Sequence, residues 1–169
     1  MAIFINISNH PSTGWETAHK AEALRLVEDI ERGDTPRIID IKFPVIPPEM
    51  SASDVCDIAG AFAGKIFILL RKEGEIAGLS DLVSMSVPPV IHIMGEQSFC
   101  YYFVLEMAKM VTGLKFVVST TERIVEVKDG VKTSSFKFCR FREIGSRISA
   151  VPSQKAAEMA AKYFEGSDG

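Results

Sequence analysis

The chain has 169 residues, of which 47% are hydrophobic and 24% charged, which is enough for one packed core and short for two. Its formal charge of -3 and isoelectric point near 5.7 exclude the global basic field that holds long nucleic acid through counterion release. Cys56, Cys100 and Cys139 form no C-x-x-C pair, so neither a zinc ribbon nor a disulfide framework is expected, only buried free thiols. The opening MAIFINIS is too short and too patterned for a signal peptide, and no run of about 18 apolar residues offers a membrane span, so a soluble cytoplasmic chain is expected.

The first strand is expected over Ile3–Ser8, followed by a helix over Thr13–Arg32. Thr13 and Glu16 fit a capping box there, Leu24, Val27 and Ile30 form the apolar stripe, and Gly33 ends the helix. "RIIDIKF" (Arg37–Phe43) reads as the second strand, stopped by Pro44, Pro47 and Pro48. A second helix, Ser51–Ala63, takes Ser51 as cap and Gly64 as terminator. "KIFILL" (Lys65–Leu70) reads as a third, fully covered strand, with Arg71 and Lys72 marking its end. A short helical stretch is expected around Leu79–Met85, then a fourth strand, Val90–Met94. A helix over Phe99–Thr112 closes at Gly113, and a fifth strand follows over Leu114–Ser119. Period-two alternation on both sides of Asp129-Gly130 then predicts an antiparallel hairpin, and a last helix is expected over Ser153–Phe164.

Alternating strands and helices with short connections imply right-handed crossovers and a Rossmann-like, mostly parallel sheet of about five strands plus a C-terminal antiparallel hairpin, with helices on both faces. Residues 1–164 read as a single domain and residues 165–169 as a disordered tail. Ligands of such sheets bind beyond the carboxyl ends of the strands. Three segments are expected to meet there: Ser8 to Thr13, Gly95 to Ser98, and Ser119 to Arg123.

The dinucleotide fingerprint and the Walker sequence are absent, so a nicotinamide or ATP enzyme of the usual kind is disfavoured and no cofactor is expected. Ser8, Asn9, Ser12 and Thr13 instead supply hydrogen-bonding side chains, and His10 is of the residue type that changes charge near neutral pH. Against this stands a plain capped turn, which any one of these residues satisfies equally well. Gly95, Glu96, Gln97 and Ser98 at the second exit, and Thr120, Thr121 and Arg123 at the third, complete the candidate ligand site. Glu96 and Glu122 are candidate acids or ribose acceptors, and Arg123 a candidate phosphate clamp. Arg71 and Lys72 are expected to add positive charge at the same edge. His92, between Ile91 and Ile93, reads as a satisfied core histidine, His19 as solvated, and Trp15 as packing in preference to base stacking. No metal-ligand spacing, paired carboxylates or nucleophile elbow is present. "FCYYFVLEMAKMV" is apolar on nearly every face, which points to cover by a homodimer partner.

With Asn9-His10-Pro11-Ser12 at the first strand exit, "GEQSF" from Gly95, and "STTERIVEVKDG" to "FKFCRFREI", the chain resembles the small Rossmann-like, CARF-related CRISPR-associated proteins of type III systems over most of residues 1 to 145. The resemblance implies binding of cyclic oligoadenylate across a dimer two-fold, and metal-free ring-nuclease cleavage in which a ribose 2′-hydroxyl attacks the adjacent phosphate. Asn9, His10 and Ser12 would then be the catalytic residues, holding the sugar-phosphate with Thr13, while Arg123 would meet phosphate charge. A non-catalytic sensor or sponge of the same ligand, and an unrelated nucleotide-binding or scaffold protein, remain open.

Overall fold

A computed structural model describes residues 2–30, 33–74, 87–111, 113–128 and 131–144. In chain order the elements are β1 (Ile3–Ser8), a 3-10 turn (Ser12–Gly14), α1 (Thr17–Arg25), β2 (Arg37–Lys42), α2 (Ala52–Gly74), β3 (Val90–Met94), α3 (Gln97–Met110), β4 (Lys115–Lys128) and β5 (Val131–Ile144). The sheet order is β2-β1-β3-β4-β5. The first four strands are parallel, and β5 returns antiparallel to β4. This is the mixed α/β class expected from the alternation, a mostly parallel sheet of Rossmann-like form with a C-terminal antiparallel pair.

Side-chain alternation sets the layers. Ile3, Ile5 and Ile7 of β1 face α2 and α3, where Val55, Ala59, Phe99 and Phe103 complete the larger core. Phe4 points to the opposite face and packs with Trp15, Ala23, Val27, Val117 and Phe141 under α1. All six residues of β1 are buried, as a central strand covered on both faces requires.

The stretch Lys65–Leu70, expected as a strand, is the second half of α2. The physical reason lies in its spacing: the buried residues Val55, Ala59, Ala63, Ile66 and Leu70 recur every three or four positions, so one helical stripe runs through both halves. Gly64 does not terminate the helix. Arg71 and Lys72 therefore sit in the last turn of α2, where Glu73 pairs with Arg37 at the start of β2 (2.6 Å). That is the amino edge of the parallel strands, opposite the expected ligand edge.

The first helix is shorter than expected. Thr13 falls in the 3-10 turn, and α1 begins after Glu16, which makes no side-chain cap bond. The fifth strand and the first hairpin strand are one continuous β4, interrupted only by a bulge at Thr120/Thr121. Beyond the pairing of His92 with Val117, β4 leaves β3 and continues with β5 as a two-stranded ribbon. Ser51 caps α2 as expected, accepting from Asp54 N (3.2 Å). Gly113, at φ 88°, follows α3 in the left-handed region that favours glycine. Cys139 is exposed and Cys56 and Cys100 are half-buried, so the thiols are free but not buried as expected. The expected helical stretches at Leu79–Met85 and Ser153–Phe164, the Asp129-Gly130 turn, and the tail lie outside the described residues.

A Cβ built on Gly64 meets nothing within 4 Å. Replacing a helix-interior glycine by alanine removes backbone freedom from the unfolded chain, so Gly64→Ala is expected to raise stability by about 0.5–1 kcal/mol in chemical denaturation. A strand at this position would give no such gain.

Candidate functional site

Three of the parallel strands each carry one polar residue inside an otherwise apolar run, and the register aligns them. Asn6 of β1 stands level with Asp40 of β2 and with His92 of β3. Asn6 is only 1% exposed and His92 3%, so each must find hydrogen-bond partners inside the fold.

Asn6 Nδ2 donates to Asp40 Oδ1 (2.7 Å) and to the carbonyl of His10 (3.0 Å). Asn6 Oδ1 lies 2.9 Å from Ser8 Oγ and 2.8 Å from His92 Nδ1. An ionised carboxylate accepts only, so Asp40 fixes the Asn6 amide with its NH2 outward and its oxygen toward His92. Nδ1 of His92 must then carry the proton. Nε2 is left as an acceptor, and Ser119 Oγ donates to it across 2.8 Å. The hydroxyl proton of Ser119 is thereby committed inward, and its oxygen is free to accept from a ligand.

The same carboxylate holds the loop after β1. Ser12 N donates to Asp40 Oδ1 (2.8 Å) and Ser12 Oγ to Asp40 Oδ2 (2.7 Å). Trp15 Nε1 donates to the carbonyl of His10 (3.1 Å). Burial alone would raise the Asp40 pKa, but the bonds from Asn6 and Ser12 outweigh it and hold the carboxyl below its ordinary value.

Aromatic rings form the other wall. His19, expected to be solvated, is sandwiched between Trp15 (centroids 3.8 Å, 2° between planes) and Phe138 (3.7 Å, 9°). Burial lowers its pKa to about 4, against the pull of Glu22 and Glu16. Burial likewise lowers that of His92 to about 3. Both rings are neutral at physiological pH. His92 is the satisfied core histidine expected, and Trp15 packs on His19 as its packing role implies.

Between these walls lies a cavity of about 480 Å³, lined on its polar side by Ser8, His10, Ser119 and Thr121 and on its aromatic side by Trp15, His19, Phe136 and Phe138. Phe136 is 68% exposed, which places its ring at the mouth. Glu16 also lines the cavity, and no lysine or arginine does among the described residues.

The first and third expected segments thus meet here. Ser8, His10 and Thr121 line the cavity. Asn9 and Thr13 are exposed outside it, and Ser12 is spent on Asp40. Thr120 Oγ1 donates to the carbonyl of Arg140 (3.0 Å), and Arg123 lies out on the ribbon, reaching Ser134 Oγ at 3.5 Å. Glu122 stands across from Lys137 on the same ribbon.

The middle segment serves α3 and an adjoining groove. Glu96 caps the helix, accepting from Phe99 N (2.7 Å) and Ser98 N (3.0 Å), bonds that hold its carboxyl below the ordinary value, and Ser98 Oγ also donates to it. Gly95 and Gln97 line the groove, which shares Met94 and Ser119 with the cavity. Gly95 is a glycine for packing reasons, because a Cβ there would collide with the ring of Phe43. Sequence reasoning passed over Asn6, Asp40 and Phe136, and named Ser119 only as the start of the third segment. The signal available for Asn6 and Asp40 was a lone polar residue at the midpoint of an apolar strand.

The family model described as the uncharacterized protein MJ1673 family matches residues 2–142. The chain belongs to that family. No curated protein and no solved structure matches it. The matched span takes in every described helix and β1 to β4 whole, and stops two residues short of the end of β5.

Asn6→Ala would strand the buried NH of His92 without its partner, while the exposed carboxylate of Asp40 can turn to water, so it is expected to lower stability by about 1–3 kcal/mol in urea unfolding. The pH dependence has a definite sign. A histidine whose folded pKa is lowered costs stability as pH falls from its ordinary 6.5 toward the folded value of about 4. Stability should therefore decline over that window, with Asp40 adding its own loss at still lower pH. His19→Phe, which keeps the stack, should flatten the upper part of the decline in a pH series of unfolding midpoints.

Proposed function

We propose that the cavity binds a nucleoside unit of a cyclic oligoadenylate, in a homodimer acting in the cytoplasm, and that the bound ring is cleaved without metal by 2′-hydroxyl attack. The observation that carries this reading is the division of one cavity at the carboxyl edge of the sheet into a hydrogen-bonding wall and a ring-stacking wall. Such a cavity suits a base attached to a sugar. The free lone pairs of Ser119 suit a donor on the ligand, such as a ribose hydroxyl or an exocyclic amine. With no cationic side chain among the described lining residues, this reading has the phosphates outside the cavity, toward solvent and a second copy.

A partner is supported by the ribbon. Residues 121–123 of β4 and 132–137 of β5 are exposed, and an isolated two-stranded ribbon is marginal in water without something packed on it. A ring-shaped ligand with two-fold symmetry matches an isologous pair of such sites. In the cleavage step the 2′-oxygen bonds to phosphorus as the P–O5′ bond breaks. The 2′ proton passes to an acceptor at the polar wall, where His10 and Ser119 stand, and O5′ gains a proton. The product carries a 2′,3′-cyclic phosphate. Because burial keeps His92 neutral at pH values far above about 3, it acts on Ser119 by orientation more than by taking up a proton. Binding without cleavage is the second reading, and that weak basicity favours it.

A panel of cyclic and linear oligoadenylates, read by thermal shift and product chromatography, tests both readings. A cyclic oligoadenylate should raise the melting temperature, and Phe136→Ala should weaken its binding by about 1–3 kcal/mol through the lost stacking. Cleavage should survive EDTA, and His10→Ala should slow it by about 10² if the imidazole moves the proton. Binding with no product leaves the sensor. No shift with any member of the panel would falsify the assignment.

A further inference from the structure

One ring in the aromatic wall is held differently from its neighbours. Trp15 is fixed twice, by its Nε1–H bond to the His10 carbonyl (3.1 Å) and by Phe4, whose ring meets it edge-on (centroids 6.2 Å, 85°). Phe138 leans on Phe141 (5.0 Å, 58°). Phe4 and Phe141 belong to the same buried cluster under α1, so both outer rings are anchored in the core. His19 lies between them, its plane within 2° of one and 9° of the other and its centroid 3.8 and 3.7 Å away, which is van der Waals contact on both faces.

The middle ring has no such anchor. Its Nε2 is closed to solvent and finds no hydrogen-bond partner among the described residues, a desolvated polar atom that counts against this position. Glu16, Thr17 and Ala18, around the start of α1, are exposed, so a change of rotamer carries the imidazole into water, where Nε2 regains partners. The outer rings thus form a slot with fixed walls and a displaceable filling. Trp15, His19 and Phe138 all line the cavity, as do Ser8, Ser119 and Thr121. A ring that replaces the imidazole must be flat and uncharged, because the desolvation that keeps His19 neutral acts on its successor too. It must also carry hydrogen-bonding groups at its edge to use those hydroxyls. A purine meets both requirements, and a hydrocarbon ring meets only the first.

We propose that the space between Trp15 and Phe138 is a base-binding slot that His19 fills in the free protein, and that a purine base binds by displacing the imidazole and stacking between the two rings. The inference deepens the nucleoside reading of the cavity and rests on it for the choice of a base as occupant.

The test titrates the full chain with adenosine, which carries no phosphate. Ring currents from both faces should hold the imidazole C–H proton resonances of His19, identified by their loss in His19→Phe, well upfield of those of an exposed histidine. Saturating adenosine should return them to the exposed position. Emission of Trp15, the one tryptophan of the chain, should change over the same titration and gives the affinity. His19→Ala, which empties the slot beforehand, should bind adenosine at least about tenfold more tightly, since no stacked ring has to be displaced. His19→Phe, whose ring has no polar atom to gain from water, should bind at least about tenfold more weakly. Phe138→Ala in the His19→Ala chain should remove the gain, and far-UV circular dichroism checks that each variant stays folded. Adenosine binding with the His19 resonances unmoved, equal affinity in the His19→Ala and unsubstituted chains, or no binding to the unsubstituted chain at millimolar adenosine overturns the proposal. Displacement by adenosine with no response to any cyclic oligoadenylate keeps the slot and removes the ring-shaped ligand. A response to a cyclic oligoadenylate that leaves the His19 resonances in place keeps that ligand and removes the slot.

Discussion

A carboxylate accepts hydrogen bonds and donates none, and the polar row across this sheet is organised around that restriction at Asp40, which stands at its exposed end. The side chain faces Asn6 and the Ser12 loop together, so it fixes the amide of one and the backbone of the other. Each downstream orientation follows in turn: the Asn6 oxygen toward His92, the proton on Nδ1, the Ser119 proton on Nε2. A chain of four side chains on four neighbouring strands thus has one low-energy arrangement of its protons. At its buried centre, Asn6 and His92, such a network resists rearrangement, because breaking one bond there leaves a desolvated polar atom. The cavity floor is therefore set before any ligand arrives.

The network and the aromatic wall solve different problems at the same edge. The strand exits must leave the sheet through polar residues because their backbone groups lose ladder partners there. Ser8 and Asn6 meet this need by capturing the His10 carbonyl, which also takes the indole NH of Trp15. That single carbonyl ties the loop to α1 and presents the Trp15 face on which His19 and then Phe138 stack. A neutral imidazole is a suitable middle layer, because a charged one would carry its desolvation cost into the stack. The opening polar stretch thus serves as a frame for the cavity as well as part of its wall, with Ser12 given to the frame and Ser8 and His10 to the wall.

The sequence made the four core strands of the sheet legible because their apolar runs are short and bounded by polar or proline-rich exits. It misled at Lys65–Leu70, where β-branched and aromatic residues in a six-residue run look like a buried strand. The stripe from Val55 to Leu70 becomes visible only when Gly64 is treated as a tolerated interior glycine. Register was the other hidden quantity. That Asn6, Asp40 and His92 fall in one row depends on strand order, which the residues do not carry locally. The role of Ser119 within its expected segment, and Phe136 altogether, were obscured for the same reason, since one enters the site through its bond to His92 and the other through antiparallel pairing across from Arg123. Arg71 and Lys72 were placed at the ligand edge as a consequence of the missing strand, and moved to the opposite edge with the helix.

That relocation changes the electrostatics of the site. With the two cations at the end of α2 and Arg123 out on the ribbon, the described lining of the cavity holds the neutral imidazoles of His19 and His92, hydroxyls and Glu16, and no lysine or arginine. A phosphate drawn into it would lose hydration without a charged partner, a cost of several kcal/mol that backbone donors alone offset poorly. On the proposed function, selection at this edge would act on the uncharged part of the ligand, through ring stacking and a donor directed at Ser119, and phosphate charge would be met on the ribbon or across a two-fold. Recognition divided in this way would distinguish a base-bearing ligand from inorganic anions by exclusion, and would make affinity depend on whatever completes the exposed side of the cavity.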